Sequence, residues 1–172
     1  ITNIYPDHLN WHSSMDEYTK AKKMIAVNQT SDDYLVISCQ ENLNSKQFLE
    51  GIKSKIIISC SEDFREDFLR YYPNFDFLPL KGLANLENYA AATSVCGILG
   101  ISQGMAFKAF EKFKGAQFRM QTIGEFNGIK IINDSTATNP IATIEALRSI
   151  SPTILIAGGM NKGLEYHELT AQ

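Results

Sequence analysis

The sequence is short of cysteine, of net charge and of long apolar runs, and each shortage removes a class of protein. Three cysteines, Cys39, Cys60 and Cys96, stand far apart with no CxxC pair. They are odd in number and set among apolar neighbours, which predicts buried free thiols in a reducing cytoplasm. The formal net charge is −3, with acids and bases interspersed. That argues against a nucleic-acid-binding surface, while leaving room for a local basic pocket. No apolar run approaches the roughly 20 residues that span a membrane. There is no signal-peptide pattern, no internal repeat and no low-complexity tract.

What is present fits a globular protein. Apolar residues make up 44% of the 172 positions and charged residues 20%. A chain of this length can bury a sizeable core as one large domain or as parts of two. Ile1 to Ile4 reads as a strand ending at the carboxyl edge of a sheet, and the chain is expected to be cut from a longer one. Pro6 then forces a turn carrying Asp7 and His8. Ser13 or Ser14 caps a helix from Met15 to about Asn28, with Met15, Tyr18, Ala21, Met24 and Ile25 as its apolar stripe and Lys22 at the border.

Two uninterrupted apolar runs, Tyr34 to Cys39 and Lys55 to Cys60, predict parallel strands, the second buried on both faces. Helices are expected at Ser45–Gly51, Ser61–Tyr71, Leu86–Leu99 and Gln103–Phe113, with a further strand at Phe75–Leu80. Gly115 breaks the pattern and marks a domain boundary. Beyond it, Gln117–Ile123 and Ile129–Asn133 predict a hairpin around Asn127-Gly128. Asn139 or Thr138 caps a helix opened by Pro140. Thr153–Ala157 predicts another buried strand, followed by Gly158-Gly159.

Several polar groups sit where α/β sheets place ligands. Asp7-His8 follows a strand end. Asn133-Asp134-Ser135 follows a strand and precedes a helix, where a carboxylate can accept from a ribose diol. Gly158 to Lys162 has the makings of an anion loop, with Lys162 as a point charge. His8 and His12 are four apart, but no Glu follows the first, and Pro6 makes the region a turn, so zinc is disfavoured. Lys22 reads as a solvated helix lysine unless it is buried. A buried amine is driven towards its neutral form and can then add carbon dioxide, giving an oxygen ligand suited to magnesium.

Five strings in order, NIYPDHLNWHSSMDEYTKAK, GLANLENYAAA, FRMQ, INDSTATNP and GGMNKGLEYHEL, resemble the Mur ligase family of peptidoglycan synthesis. INDSTATNP is similar to the string of its glutamate-adding type. The resemblance implies an α/β fold with parts of two domains. Residues 1–114 correspond to the second half of a mostly parallel-sheet ATPase-type central domain, and residues 115–172 to the start of a Rossmann-like C-terminal domain. The family's Gly-rich phosphate loop and upstream magnesium-binding Glu are not in the sequence. The implied reaction is ATP-dependent amide ligation, adding D-glutamate to UDP-N-acetylmuramoyl-L-alanine through an acyl phosphate, in the cytoplasm. The implied cofactors are ATP and Mg2+. No nucleic-acid partner, no membrane insertion and a monomeric state are expected.

By the same resemblance, His8 and a carbamylated Lys22 belong with magnesium, and Asn85 and Asn88 lie near the adenine. Arg119 serves the nucleotide phosphates or ribose, and Asp134 the ribose. Ser135, Thr138 and Lys162 face the incoming amino acid and the acyl phosphate. The sequence departs from the family pattern at Thr136, where Lys is usual. It also departs at Ala84 and Phe118 (usually His), Gln121 (usually Glu) and Asn10 (usually Asp). Those departures keep two alternatives open: a divergent Mur-type or folylpolyglutamate-type ligase for another amino acid, and a non-catalytic nucleotide-binding relative.

Overall fold

The computed structural model describes residues 1–7, 11–39, 43, 45–60, 62–73, 78, 83–150, 153–160 and 163–171. Helix α1 (Met15–Val27) starts at Ser14, whose Oγ accepts from Glu17 N at 3.2 Å. The Glu17 carboxylate reaches back to Ser13, accepting from its N–H at 2.8 Å and its hydroxyl at 2.6 Å. This reciprocal cap satisfies N–H groups that a helix start leaves unpaired. The buried face runs through Tyr18 and Ala26, whereas Met24 and Ile25 are exposed. The packed stripe is therefore rotated from the predicted one, because Met24 falls on the far side of the helix from Met15 and Ala26.

Strands β1 (Tyr34–Ile37) and β2 (Lys55–Ile58) pair in parallel, in register from Tyr34↔Lys55 to Ile37↔Ile58. Leu35 and Ile37 are buried. Ile56 and Ile58 of β2 are exposed, against the expectation of burial on both faces. Among the described residues β2 has no neighbour on its far side, so it is an edge strand. On the other side of β1, Ile1 N donates to Val36 O at 2.6 Å and Ser38 N donates to Ile1 O at 3.1 Å. That alternation is a parallel ladder opposite Ile37. It carries Asp7 to the carboxyl edge of the sheet, as the opening apolar residues predicted.

The thiol expectation is overturned. Cys39 and Cys60 are bonded to each other, with Cα atoms 5.7 Å apart, and only Cys96 is free. The cause is the strand register: extending Ile37↔Ile58 by two residues sets Cys39 opposite Cys60. A separation of 21 residues gives no hint of this in the sequence.

Helices α2 (Lys46–Leu49), α3 (Glu62–Tyr71), α4 (Leu83–Ile98) and α5 (Gln103–Lys112) follow. Ser45 and Ser102 cap α2 and α5, accepting from Phe48 N and Met105 N. An aromatic core joins α3, α4 and α5: Phe64, Phe68, Tyr72, Leu86, Tyr89 and Phe107 are buried together with Leu78. Phe68, 0% exposed, stacks on Tyr89 at 5.5 Å and meets Phe107 edge-on at 5.4 Å. Such offset and edge-on pairs add to the area term of burial. Apart from buried Leu78, the strand predicted at 75–80 lies outside the described residues.

Beyond Gly115, β3 (Gln121–Phe126) and β4 (Ile129–Asn133) form the predicted hairpin. Asn127 and Gly128 have φ of 50° and 80°, the geometry that suits the twist of a two-residue hairpin. β3 starts four residues later than predicted because Phe118 and Met120 sit at φ 61° and 46°, which no strand accommodates. Helix α6 (Pro140–Ser149) is capped by Asn139, which accepts from Ala142 N at 2.9 Å, with Pro140 in the first turn. α7 (His167–Thr170) is a single turn. Thr153–Ala157 is not the predicted buried strand: Ile154 is 89% and Ile156 94% exposed. A strand exists through its ladder, and no described strand borders this segment.

Candidate functional site

Asp7, only 9% exposed, closes the turn after Pro6 at the carboxyl edge of the parallel strands. Thr138 Oγ1 lies 3.4 Å from Asp7 Oδ2, in donating position, across 131 residues of sequence. The two polar strings singled out in the sequence therefore meet. Ligands of open α/β sheets gather outside this edge.

The second string is tied down residue by residue. Asn133 Oδ1 accepts from Ser135 N at 3.0 Å and from the Ser135 hydroxyl. Asp134 Oδ1 accepts from Met120 N at 2.9 Å. Thr136 donates twice to Phe118 O, from Oγ1 at 2.8 Å and from N at 3.1 Å. Asp134 and Thr136 thus hold the 117–120 turn, whose two left-handed residues flank exposed Arg119. Left-handed backbone costs an ordinary residue about 1–2 kcal/mol. The bonds from Asp134, Thr136 and Gln121, whose Oε1 accepts from Phe118 N at 2.9 Å, offset that cost.

Asn85 and Asn88 are in the first turns of α4, with Asn88 Nδ2 donating to Asn85 Oδ1 at 3.0 Å. Between them, Glu87 is half-buried. Burial, and secondly the charge of Glu145 on α6, push its carboxyl above the ordinary range. Lys22 is exposed, its Nζ 5.2 Å from the centre of the Tyr18 ring. His12 belongs to the α1 cap, Nδ1 being 3.4 Å from Glu17 Oε1 and the ring 5.3 Å from Tyr18. His8 and Lys162 lie outside the described residues.

Residues 1–96 match the Mur ligase middle domain family. The chain belongs to the Mur ligase family. It is 37% identical over 182 residues to the UDP-N-acetylmuramoylalanine--D-glutamate ligase of Listeria innocua, covering 98% of this chain and 40% of that protein. The enzymes of the same name from Pelotomaculum thermopropionicum and Staphylococcus aureus are 34% and 35% identical over similar spans. The chain thus spans about 40% of the length of these relatives. Among solved structures, that of MurF from Acinetobacter baumannii superposes with a TM-score of 0.69 at 19% identity, over 87% of this chain and 36% of that one. At that identity the likeness is one of fold, and it agrees with the mixed α/β architecture and its parallel strands.

Within this Mur ligase chain, two residues matter more than their sequence context showed. Thr136 counted only as a missing lysine, yet both its hydroxyl and its N–H anchor the Arg119 turn. Asp7 stands at the strand end that the sequence marks for ligands, and its burial and its contact with Thr138 are what the three-dimensional structure adds. Among the described residues no group of three or more His, Cys, Asp or Glu side chains is arranged to hold a metal ion. The described donors do not by themselves make a magnesium site.

Proposed function

We propose that this chain is the nucleotide-facing part of an ATP-dependent amide ligase of peptidoglycan precursor synthesis, adding D-glutamate to UDP-N-acetylmuramoyl-L-alanine in the cytoplasm as a monomer. The observation that carries this reading is the meeting of Asp7 with Thr138, which brings the Asp7 turn and the INDSTATNP string to one sheet edge. Curated relatives that are 33–37% identical over 98% of this chain are named UDP-N-acetylmuramoylalanine--D-glutamate ligases. The reading places residues 1–114 in the central domain and residues 115–172 in the C-terminal domain. The left-handed Gly115, at φ 79°, supports a break in the chain path there.

ATP phosphorylates the substrate carboxylate, the amine of D-glutamate attacks the acyl phosphate, and inorganic phosphate leaves. Positioning and charge neutralisation supply most of the rate in such transfers. Asp134 spends Oδ1 on Met120 N and keeps Oδ2 for a ribose hydroxyl. The turn it holds presents Arg119 to the phosphates. Asn85 and Asn88 offer amide groups to the adenine. Ser135 and Thr138 serve the amino acid and the acyl phosphate, a role the resemblance also gives to Lys162, which lies outside the described residues. Magnesium enters with ATP, and the resemblance gives it His8 and Lys22. Lys22 is exposed, so the burial that would favour a carbamate is not met, and the carbamate stands on resemblance alone.

A second reading, a ligase for a different amino acid, draws on Thr136. Its hydroxyl is committed to Phe118 O, and the residue adds no cation near the reacting phosphate. One experiment separates the two. Phosphate release is followed with the full-length ligase, ATP, magnesium and UDP-N-acetylmuramoyl-L-alanine, one amino acid at a time. Release that depends on D-glutamate is the expected result. Release with another amino acid establishes the second reading, and no release with any overturns both.

A further inference from the structure

The two bonded cysteines end neighbouring parallel strands on the edge that carries Asp7. Their Cα separation of 5.7 Å falls within the range of about 4.4–6.8 Å that a disulfide spans without backbone movement. Strand register therefore holds the two thiols within bonding reach. Cys39 is exposed and Cys60 half-buried. A cavity of about 270 Å³ opens beside both, and Arg65 of α3 lines it together with Glu62 and Glu87. The same wall includes Leu86 of α4, next to Asn85 in sequence.

We propose that Cys39 and Cys60 are a reversible thiol–disulfide pair, a redox modification site on the carboxyl edge of the parallel strands, oxidised by low-molecular-weight disulfides. The exposed Cys39 loses its proton to solvent, and its thiolate attacks one sulfur of the incoming disulfide. The S–S bond of the oxidant breaks and one thiolate leaves. The Cys60 thiolate then attacks the Cys39 sulfur of the mixed disulfide and expels the second thiolate. Two protein thiols are oxidised, one disulfide is reduced to two thiols, and the protons balance through solvent. Accessibility assigns the order: Cys39 is the attacking thiol and Cys60 the resolving one. The product ties the ends of β1 and β2 across 21 residues of sequence, which constrains the unfolded chain and raises the unfolding temperature.

The test titrates the full-length protein with oxidised and reduced glutathione, folded and in denaturant, followed by alkylation and peptide mass mapping. The Cys39–Cys60 cross-link is expected as the main product. Its midpoint in the folded protein should favour oxidation by at least about tenfold over the denatured chain, because folding raises the effective thiol concentration. Cys60→Ser is expected to accumulate glutathione on Cys39, since the resolving thiol is gone. Equal midpoints, cross-links through Cys96, or glutathione adducts alone in the unsubstituted protein would each overturn the proposal. So would Cys60→Ser protein that takes up no glutathione.

Discussion

Replacing Asp134 by Ala removes the carboxylate that accepts from Met120 N at 2.9 Å. A hydrogen bond to an ionised acceptor contributes roughly 1.5–3 kcal/mol. Asp134 is half-exposed, and solvent screening brings the expected loss to about 1–2 kcal/mol. Release of Met120 from its left-handed backbone offsets part of any larger loss. For a chain of this size each kcal/mol moves the unfolding midpoint by about 2–4 °C, so Asp134→Ala should melt roughly 2–8 °C lower. Asp134→Asn keeps an acceptor and should lose less than half of that. In a Met120→Gly background the cost of Asp134→Ala should rise towards that of the full bond, because glycine holds φ 46° without strain and its release offsets nothing. The assay is thermal unfolding at neutral pH, with amide exchange at residue 120 as the local readout. An Asp134→Ala protein that melts with the unsubstituted one and keeps residue 120 protected would refute the claim that this bond holds the Arg119 turn.

Other predictions concern the core, the half-buried Glu87 and the helix lysine. Tyr72→Phe removes the hydroxyl that donates to Phe107 O at 2.7 Å and meets Glu111 Oε1 at 3.1 Å; a loss of about 1 kcal/mol by denaturant titration is expected. Glu87→Gln should raise the melting temperature at neutral pH. Because folding lifts the Glu87 carboxyl above its ordinary range, the cost is full above the raised value and fades as pH falls to the ordinary one. The two proteins should therefore converge in acid, and a gap that widens there would contradict the sign. Lys22→Ala should cut ligase turnover heavily with little change in stability, since the side chain is exposed. Partial rescue by small carboxylic acids is the outcome a carbamate predicts, and unaltered kcat would remove Lys22 from the site.

Local signals in the sequence proved sufficient where one short stretch decides the geometry. Ser14 with Glu17, Ser102, Asn139-Pro140 and Asn127-Gly128 each fix a cap or a turn from neighbouring residues, and the structure has those elements there. Features set by distant partners were not legible. Burial of KIIISC failed because its run of isoleucines forms an edge strand. TILIA has the composition of a strand but no described neighbour to pair with. Cys39 and Cys60 meet through a strand register that no spacing rule encodes. The family was legible from the five strings as a set, yet the part played by Thr136 was hidden, because its partner is a backbone carbonyl 18 residues away.

The central claim is that the Asp7 turn, the Arg119 turn and the INDSTATNP string close on one nucleotide. Hydrogen–deuterium exchange of the full-length protein, with and without magnesium-ATP, tests it most directly. Added protection is expected at residues 5–7, 118–120 and 134–138. Nucleotide binding that leaves all three segments unprotected would contradict it.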